Sequence, residues 1–540
     1  MPSSLLVIGG LKVEFFQPLP QQHYNDLYTA VYRLIDDAKT AYELIKLYKG
    51  SHGSLNPHEI VTSFGSWFYL NRRGLIAYGC ERANDAASGH YTAQHLAEFD
   101  ATCQPHVPLS DVFALMAKFG RHRDETEEHY LNWLVQRGHN LGAYRGGTSG
   151  YDDEARAFAC AFYRQLGVEC VPDDVLIFDG GAKAVFLATC AALMVTRDGD
   201  DLRHDGGLIL APAGYYQSLR LIPAVFGATI HVEDELTGPV VREWLTDTAH
   251  LSGRIIYCPL VNNMDGALLT HARAYDIAGE IRAHNRTNAS NPVHVIGDDV
   301  YAGSWLTDNA APCPIGAVPD IGRWCVSVVT PSKTAALPTA RVAFAVATNP
   351  TLRAALGHYR TLFSHGRVPQ VGELTGVAAL CLTPPSWVAR WNEHYRVAVR
   401  YLATEVGRLN TELGAELFAV DAPDAGWYVP LRVRRGLFGE QVHSGVGAQA
   451  ALLYYGEQHR QTGLAMLPGE LFGACRTGDW YTLRTTVAVD TGTLTQAVAR
   501  LRDLARTMQS SRRDGVIDYA LARARRVVPG IDATVTNTRY

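Results

Sequence analysis

The 540-residue sequence is short of several features that would place a protein in a class at once. None of its ten cysteines forms a CxxC pair, and their spacing matches no metal-ligand pattern, so neither a metal site nor a disulfide framework is expected. In a chain this long, scattered cysteines read as reduced, mostly buried thiols of a cytoplasmic protein. Neither sign of charge dominates. The net charge of -5 leaves no electrostatic footprint for nucleic acid or an anionic membrane. The longest mostly apolar run, residues 184–195, is too short to cross a bilayer and reads as a buried helix. The opening MPSSLLVIGG lacks a basic n-region and a long apolar core, so no secretory signal is expected. With 47% hydrophobic and 19% charged residues, the rest is ordinary globular composition, long enough for more than one domain.

The amino-terminal third reads as helical and carries no chemical motif. Residues 31–48 place apolar side chains at Val31, Leu34, Ile35, Ala38, Ala41, Leu44, Ile45 and Tyr48, a helical period. A DNA-binding head would be basic there, but residues 1–130 hold 11 Lys and Arg against 15 Asp and Glu. That argues against a transcription regulator.

The chemistry gathers further on. Residues 326–330 form a β-rich run that ends in a turn carrying Lys333, and Arg341 follows eight residues later. Upstream, the stretch HVIGDDVYAG brings Asp298 and Tyr301 to the end of another apolar run. A lysine for a Schiff base, a carboxylate for a pyridinium nitrogen, a phenol and a phosphate-binding arginine are the parts that hold pyridoxal phosphate (PLP). A strand at residues 175–178 meets Gly180-Gly181-Ala182 and then an apolar helix, which suits a phosphate because unpaired helix amides point at it. Tyr216 follows the strand GGLILAP, where a ring can stack on a flat cofactor. Asn263 lies in the polar turn after the strand RIIY. Strands alternating with helical stretches argue for an α/β fold with a mostly parallel sheet, whose ligands bind at the strand carboxyl ends.

Taken in order, these motifs resemble those of the fold-type I PLP-dependent enzymes of the aminotransferase class I/II family. The aspartate-x-x-tyrosine is matched by Asp298 to Tyr301, the serine/threonine-x-x-lysine by Thr330 to Lys333, and the arginine eight residues later by Arg341. Pro468-Gly469-Glu470-Leu471-Phe472-Gly473 matches PGxxFG, and the strand TLRTTVAV puts Arg484 where the family grips the substrate α-carboxylate. The resemblance spans roughly residues 140–508. It implies a helical amino-terminal extension (1–135), a large PLP-binding α/β domain (136–375), a smaller α+β domain (376–510) and a tail (511–540) rich in arginine. It implies that Gly180, Gly181, Ala182, Thr330 and Arg341 hold the phosphate, that Tyr216 stacks on the ring, and that Tyr301 and Asn263 bond its oxygen. It also implies that Tyr144 reaches the phosphate of a neighbouring subunit, making a homodimer with shared active sites. One departure stands out. The family's asparagine-proline-threonine-glycine turn is here Asn263-Met264-Asp265-Gly266.

The resemblance implies chemistry at Cα of an amino acid, with Lys333, Asp298 and Tyr301 as the catalytic set and Arg484 binding substrate. The expected activity is an aminotransferase, and the unusual turn and long terminal segments favour specialised biosynthesis. Elimination or replacement at Cβ or Cγ, for example on S-adenosylmethionine, and aspartate-type decarboxylation are the alternatives. A PLP-fold sensor or scaffold is disfavoured by the intact lysine, aspartate and arginines.

Overall fold

Seven short apolar runs build the main sheet: β1 (Val175–Asp179), β2 (Leu208–Pro212), β3 (Thr229–Glu233), β4 (Arg254–Pro259), β5 (His294–Asp298), β6 (Cys325–Val329) and β7 (Val342–Val346). In the computed structural model the residues described are 5–8, 11–14, 27–41, 44–47, 153–198, 201–204, 207–307, 311–334, 338, 341–364, 376, 380, 385–459, 463–473 and 478–529. The strand order is β1-β7-β6-β5-β4-β2-β3. Pairings among β2 to β6 are parallel, whereas β7 runs antiparallel to both β6 and β1. Every residue of β4, β6 and β7 is buried, as expected where helices cover both faces of a sheet. The reversal of β7 matters for the site. Its first residue, Val342, pairs with the last residue of β1, Asp179, so the segment entering β7 lies at the edge where the other strands end.

After the main sheet come the 29-residue helix Pro385–Leu413 and a second, antiparallel sheet in the order β8 (Phe418–Val420), β9 (Tyr428–Arg434), β11 (Trp480–Thr486) and β10 (Leu467–Pro468). Helix Thr491–Met508 follows, capped by Asp490, whose carboxylate accepts from Thr493 N–H at 2.8 Å. Tyr481 and Leu483 of β11 and Tyr395 and Leu402 of the long helix share one apolar core with Ile256 and Val295 of the main sheet.

The terminal segments meet. Helix Leu27–Ala41 buries Ala30, Val31, Leu34, Ile35 and Ala38, but the helical pattern does not run on through residue 48. Residues Leu44–Lys46 form a strand instead, parallel to Gly463–Ala465, and Leu47 N–H extends the ladder to Ala465 O at 2.9 Å. The physical reason is tertiary: an open strand edge offers Leu44 and Ile45 backbone partners as well as burial, which outweighs a helical period read locally. Beyond residue 510, helix Arg513–Val527 packs against helix Gly445–His459 and the amino-terminal helix. Asp37 accepts from Tyr454 Oη and from Arg523 Nη2, both at 3.1 Å, tying the two ends of the chain together. Most of the amino-terminal segment, residues 48–152, lies outside the described residues.

Candidate active site

The phosphate end is built by backbone geometry. Gly181 caps helix Ala182–Met194 with φ +75°, and no side chain caps its first turn. Glycine is required there, since a Cβ would be strained and would sit 3.5 Å from the Arg341 guanidinium. Arg341 donates to Gly180 O and, at 3.2 Å, to Pro338 O, while its own carbonyl accepts from Gly180 N–H at 2.7 Å. Because β7 is reversed, this arginine lies exposed beside the Gly-Gly turn. Thr330, directly after β6, accepts from Ser332 N–H at 3.0 Å and its hydroxyl is hydrogen-bonded to Ser332 Oγ at 2.7 Å. An uncapped helix terminus, a guanidinium and two hydroxyls make an anion cradle.

The acid end is Asp298, buried at the end of β5. One of its oxygens accepts from the Tyr257 hydroxyl and the other from Val300 N–H at 3.4 Å. Burial pushes its carboxyl up to about 6, although Tyr257, the Val300 amide and the nearby Lys333 ammonium all oppose the rise. Such a carboxyl is poised to ionise fully when a cation approaches. Tyr301 donates to Asn263 Oδ1 at 3.0 Å, and Asn263 Nδ2 donates to Gln217 Oε1 at 3.1 Å. The Tyr301 phenol is held protonated, far above its ordinary range, by burial first and by Tyr428 next. Tyr216 follows β2 and packs edge-on against Phe186, which in turn packs edge-on against Tyr257.

Lys333 stands on the short helix Pro331–Thr334, directly after β6. Its ammonium lies 5.5 Å from the centre of the Tyr301 ring, 5.7 Å from Tyr428 and 5.8 Å from Trp427. Arg484 comes from β11 in the other domain and is buried, its guanidinium 3.8 Å from the Tyr428 ring centre and 4.4 Å from Phe472. It also donates to Asn263 O at 3.2 Å. Desolvated contacts of this kind are worth about 2 kcal/mol each and hold the fork in one orientation.

The turn that lacks proline is organised by Asn262. Its Oδ1 accepts from Met264 N–H at 2.9 Å, and its Nδ2 donates to Ala213 O at 2.6 Å. Asp265 accepts from Ala267 N–H at 2.9 Å, so its carboxylate closes the turn. Gly266, at φ +70°, lies where a Cβ would meet Ala425 O at 2.4 Å.

Gly180, Gly181, Ala182, Tyr216, Asn263, Asp298, Tyr301, Thr330, Lys333, Arg341 and Arg484 are all placed at the carboxyl edge of the sheet or on its facing domain. Tyr144 lies outside the described residues. Sequence reasoning missed Tyr257, Gln217, Tyr428 and Trp427, whereas Asn262 was visible in the polar turn. Tyr257 stands one strand away from Asp298, a proximity that strand register decides. The Trp427-Tyr428 pair after a glycine was the only available signal for the aromatic wall around Lys333.

An amine, a buried acid and an anion cradle at one sheet edge fit PLP, which carries an aldehyde for the amine, a ring nitrogen for the acid and a phosphate for the cradle; among the described residues no group of His, Cys, Asp and Glu could hold a metal ion. A mostly parallel sheet with that set at its carboxyl edge, faced by a smaller α+β domain, defines a fold-type I PLP-dependent enzyme. The chain belongs to the aminotransferase class I and II family, whose model matches residues 145–501, more than half of its length. Solved structures agree on the fold. Aspartate aminotransferase from Rhizobium meliloti is 16% identical with a TM-score of 0.55, covering 70% of this chain and 88% of that one. A single mutant of the Thermus thermophilus aspartate aminotransferase is 15% identical with a TM-score of 0.57, covering 91% and 100%. Aromatic aminotransferase from Pyrococcus horikoshii is 18% identical with a TM-score of 0.55, covering 70% and 92%. No curated protein matches in sequence.

Proposed function

We propose that this aminotransferase-like, PLP-dependent enzyme transaminates an α-amino acid in a specialised biosynthetic reaction. The observation that carries the reading is the shared ring of Tyr428. Lys333 Nζ and the Arg484 guanidinium lie 5.7 and 3.8 Å from its centre, so one aromatic side chain borders both the amine and the group that would grip a substrate carboxylate.

PLP, when bound, supplies an electron sink for charge developing at the substrate Cα. Lys333 would provide the amine that holds the cofactor and would remove and return a proton at the substrate Cα. Asp298 would hold the pyridine nitrogen in its protonated form. Arg341, Thr330, Gly180 and the Gly181 and Ala182 amides hold the phosphate. Tyr301 and Asn263 would hydrogen-bond the ring oxygen, and Tyr216 would cover the ring face. Arg484 binds the α-carboxylate through two parallel N–H donors. Tyr144 completes the phosphate site of the neighbouring subunit in a homodimer. A cytoplasmic setting is supported by the six free, buried cysteines among the described residues. No described helix is long and apolar enough to cross a membrane. The altered turn at Met264 and the joined terminal segments support a substrate outside central metabolism.

The test incubates the PLP-loaded protein with single amino acids in the absence of a keto acid. Pyridoxamine phosphate and the matching keto acid, found together by mass spectrometry, establish the reaction and its donor. Release of ammonia or of a β- or γ-leaving group without pyridoxamine phosphate assigns elimination or replacement instead, and release of carbon dioxide from aspartate assigns decarboxylation. Lys333→Ala should abolish every one of these reactions.

A further inference from the structure

Met264 and Phe472 link the terminal segments to the active site. Met264 stands where the family has proline, and its side chain is buried in the apolar cluster that helices Leu27–Ala41, Gly445–His459 and Arg513–Val527 build. Ala30, Leu34, Leu453 and Ala520 belong to that cluster, as does Phe472, which lies under Arg484. The Met264 backbone is used as well. Its N–H donates to Asn262 Oδ1, a bond that proline cannot make. The preceding residue, Asn263, turns the other way and holds Tyr301 through its side chain and Arg484 through its carbonyl. One peptide therefore joins a core made from both chain ends to the polar set around the cofactor and substrate.

We propose that Met264 is a positioning residue. Packed among the terminal helices, it fixes the angle at which Asn263 and, through it, Tyr301 and Arg484 are presented. The amino-terminal helix and the tail helix are thereby part of the active-site scaffold and not appendages to it. This rests on the reading that Asn263 faces PLP and Arg484 the substrate. In close-packed interiors a truncated side chain leaves a cavity into which its neighbours relax, and displacement of about 1 Å at a site costs up to about a hundredfold in rate.

The experiment titrates PLP into the cofactor-free full-length protein, following Trp fluorescence, and compares Met264→Ala with Met264→Leu, alongside the melting temperature of each cofactor-free form. Met264→Ala is expected to weaken PLP binding by about tenfold and to raise the KM for the amino-acid donor, with Met264→Leu restoring both because it refills the volume. A lower melting temperature with unchanged PLP affinity and KM would overturn the proposal, since that is what a merely structural residue does. If Met264→Ala does not fold, Asp37→Asn loosens the same core from its far side without touching the site. It should weaken PLP binding measurably, and unchanged affinity overturns the coupling. Failure of the unsubstituted protein to bind PLP at all overturns the functional reading as well, whereas normal binding left unmoved by these substitutions overturns the coupling alone.

Discussion

Adjacent aspartates at 298 and 299 show how much a single position depends on its surroundings. Asp298 ends β5 facing Tyr257 and Lys333, while Asp299 is buried on the side of Cys258, Cys313 and Cys325, where burial and then the charge of Asp298 hold it well above the carboxylate range. Since the folded value of Asp298, about 6, exceeds its ordinary 3.8, its contribution to stability is complete below about pH 4 and is lost as pH rises through 6. For this buried group that loss amounts to about 3 kcal/mol. In the cofactor-free protein, Asp298→Asn should therefore be flatter in urea midpoint between pH 4 and 7 than the unsubstituted chain. Parallel profiles would show that Asp298 does not titrate there. Arg484 supports a second prediction. Arg484→Lys keeps the charge but loses the planar fork stacked on Tyr428, so KM for an amino-acid donor should rise about a hundredfold with a smaller fall in kcat. A primary amine lacking the carboxylate should not discriminate between the two enzymes.

At the scale of elements, the direction of one strand assembles the phosphate cradle. Were β7 parallel, Arg341 would enter it at the far edge of the sheet, a full strand length from Gly180. The apolar runs of β1, β2, β4, β5 and β6 were legible because strands buried on both faces need continuous hydrophobic residues. The orientation of β7 was not, since VAFAV reads alike in either direction. The role of the Gly180-Gly181 turn can be tested directly. Gly181→Ala forces an L-residue to φ +75° and sets a methyl group 3.5 Å from the Arg341 guanidinium. The backbone strain costs about 1–3 kcal/mol, and PLP affinity should fall about tenfold, read by equilibrium titration, with the far-ultraviolet circular dichroism unchanged.

For the whole molecule, the joining of the chain ends matters most. Arg523 bridges to Asp37 across 486 positions and lies 3.9 Å from Glu457 Oε2; both it and Asp37 are about four-fifths buried. Removing one partner leaves a mostly buried charge uncompensated, so Arg523→Ala should cost about 1–3 kcal/mol of stability. Calorimetry checks this, and limited proteolysis should show cleavage near both termini rising together. Cleavage at one end only would show that the two segments are held independently. In sedimentation velocity the loaded protein should run as a homodimer.

By itself the sequence determined the chemistry: a lysine, an aspartate, a tyrosine and two arginines at spacings that suit PLP, set at the ends of apolar runs that form a sheet. Those features are local, because backbone period, turn residues and side-chain type act over a few positions. What the sequence left open was decided by contacts between distant segments. Tyr257 reaches Asp298 through strand register, Trp427 and Tyr428 wall Lys333 from another domain, and Leu44 and Ile45 leave a helical pattern for a strand edge 419 residues away. Met264 breaks the family's turn and is explained only by the core it enters. Such partners are chosen by burial and hydrogen bonding in three dimensions, which no local pattern encodes.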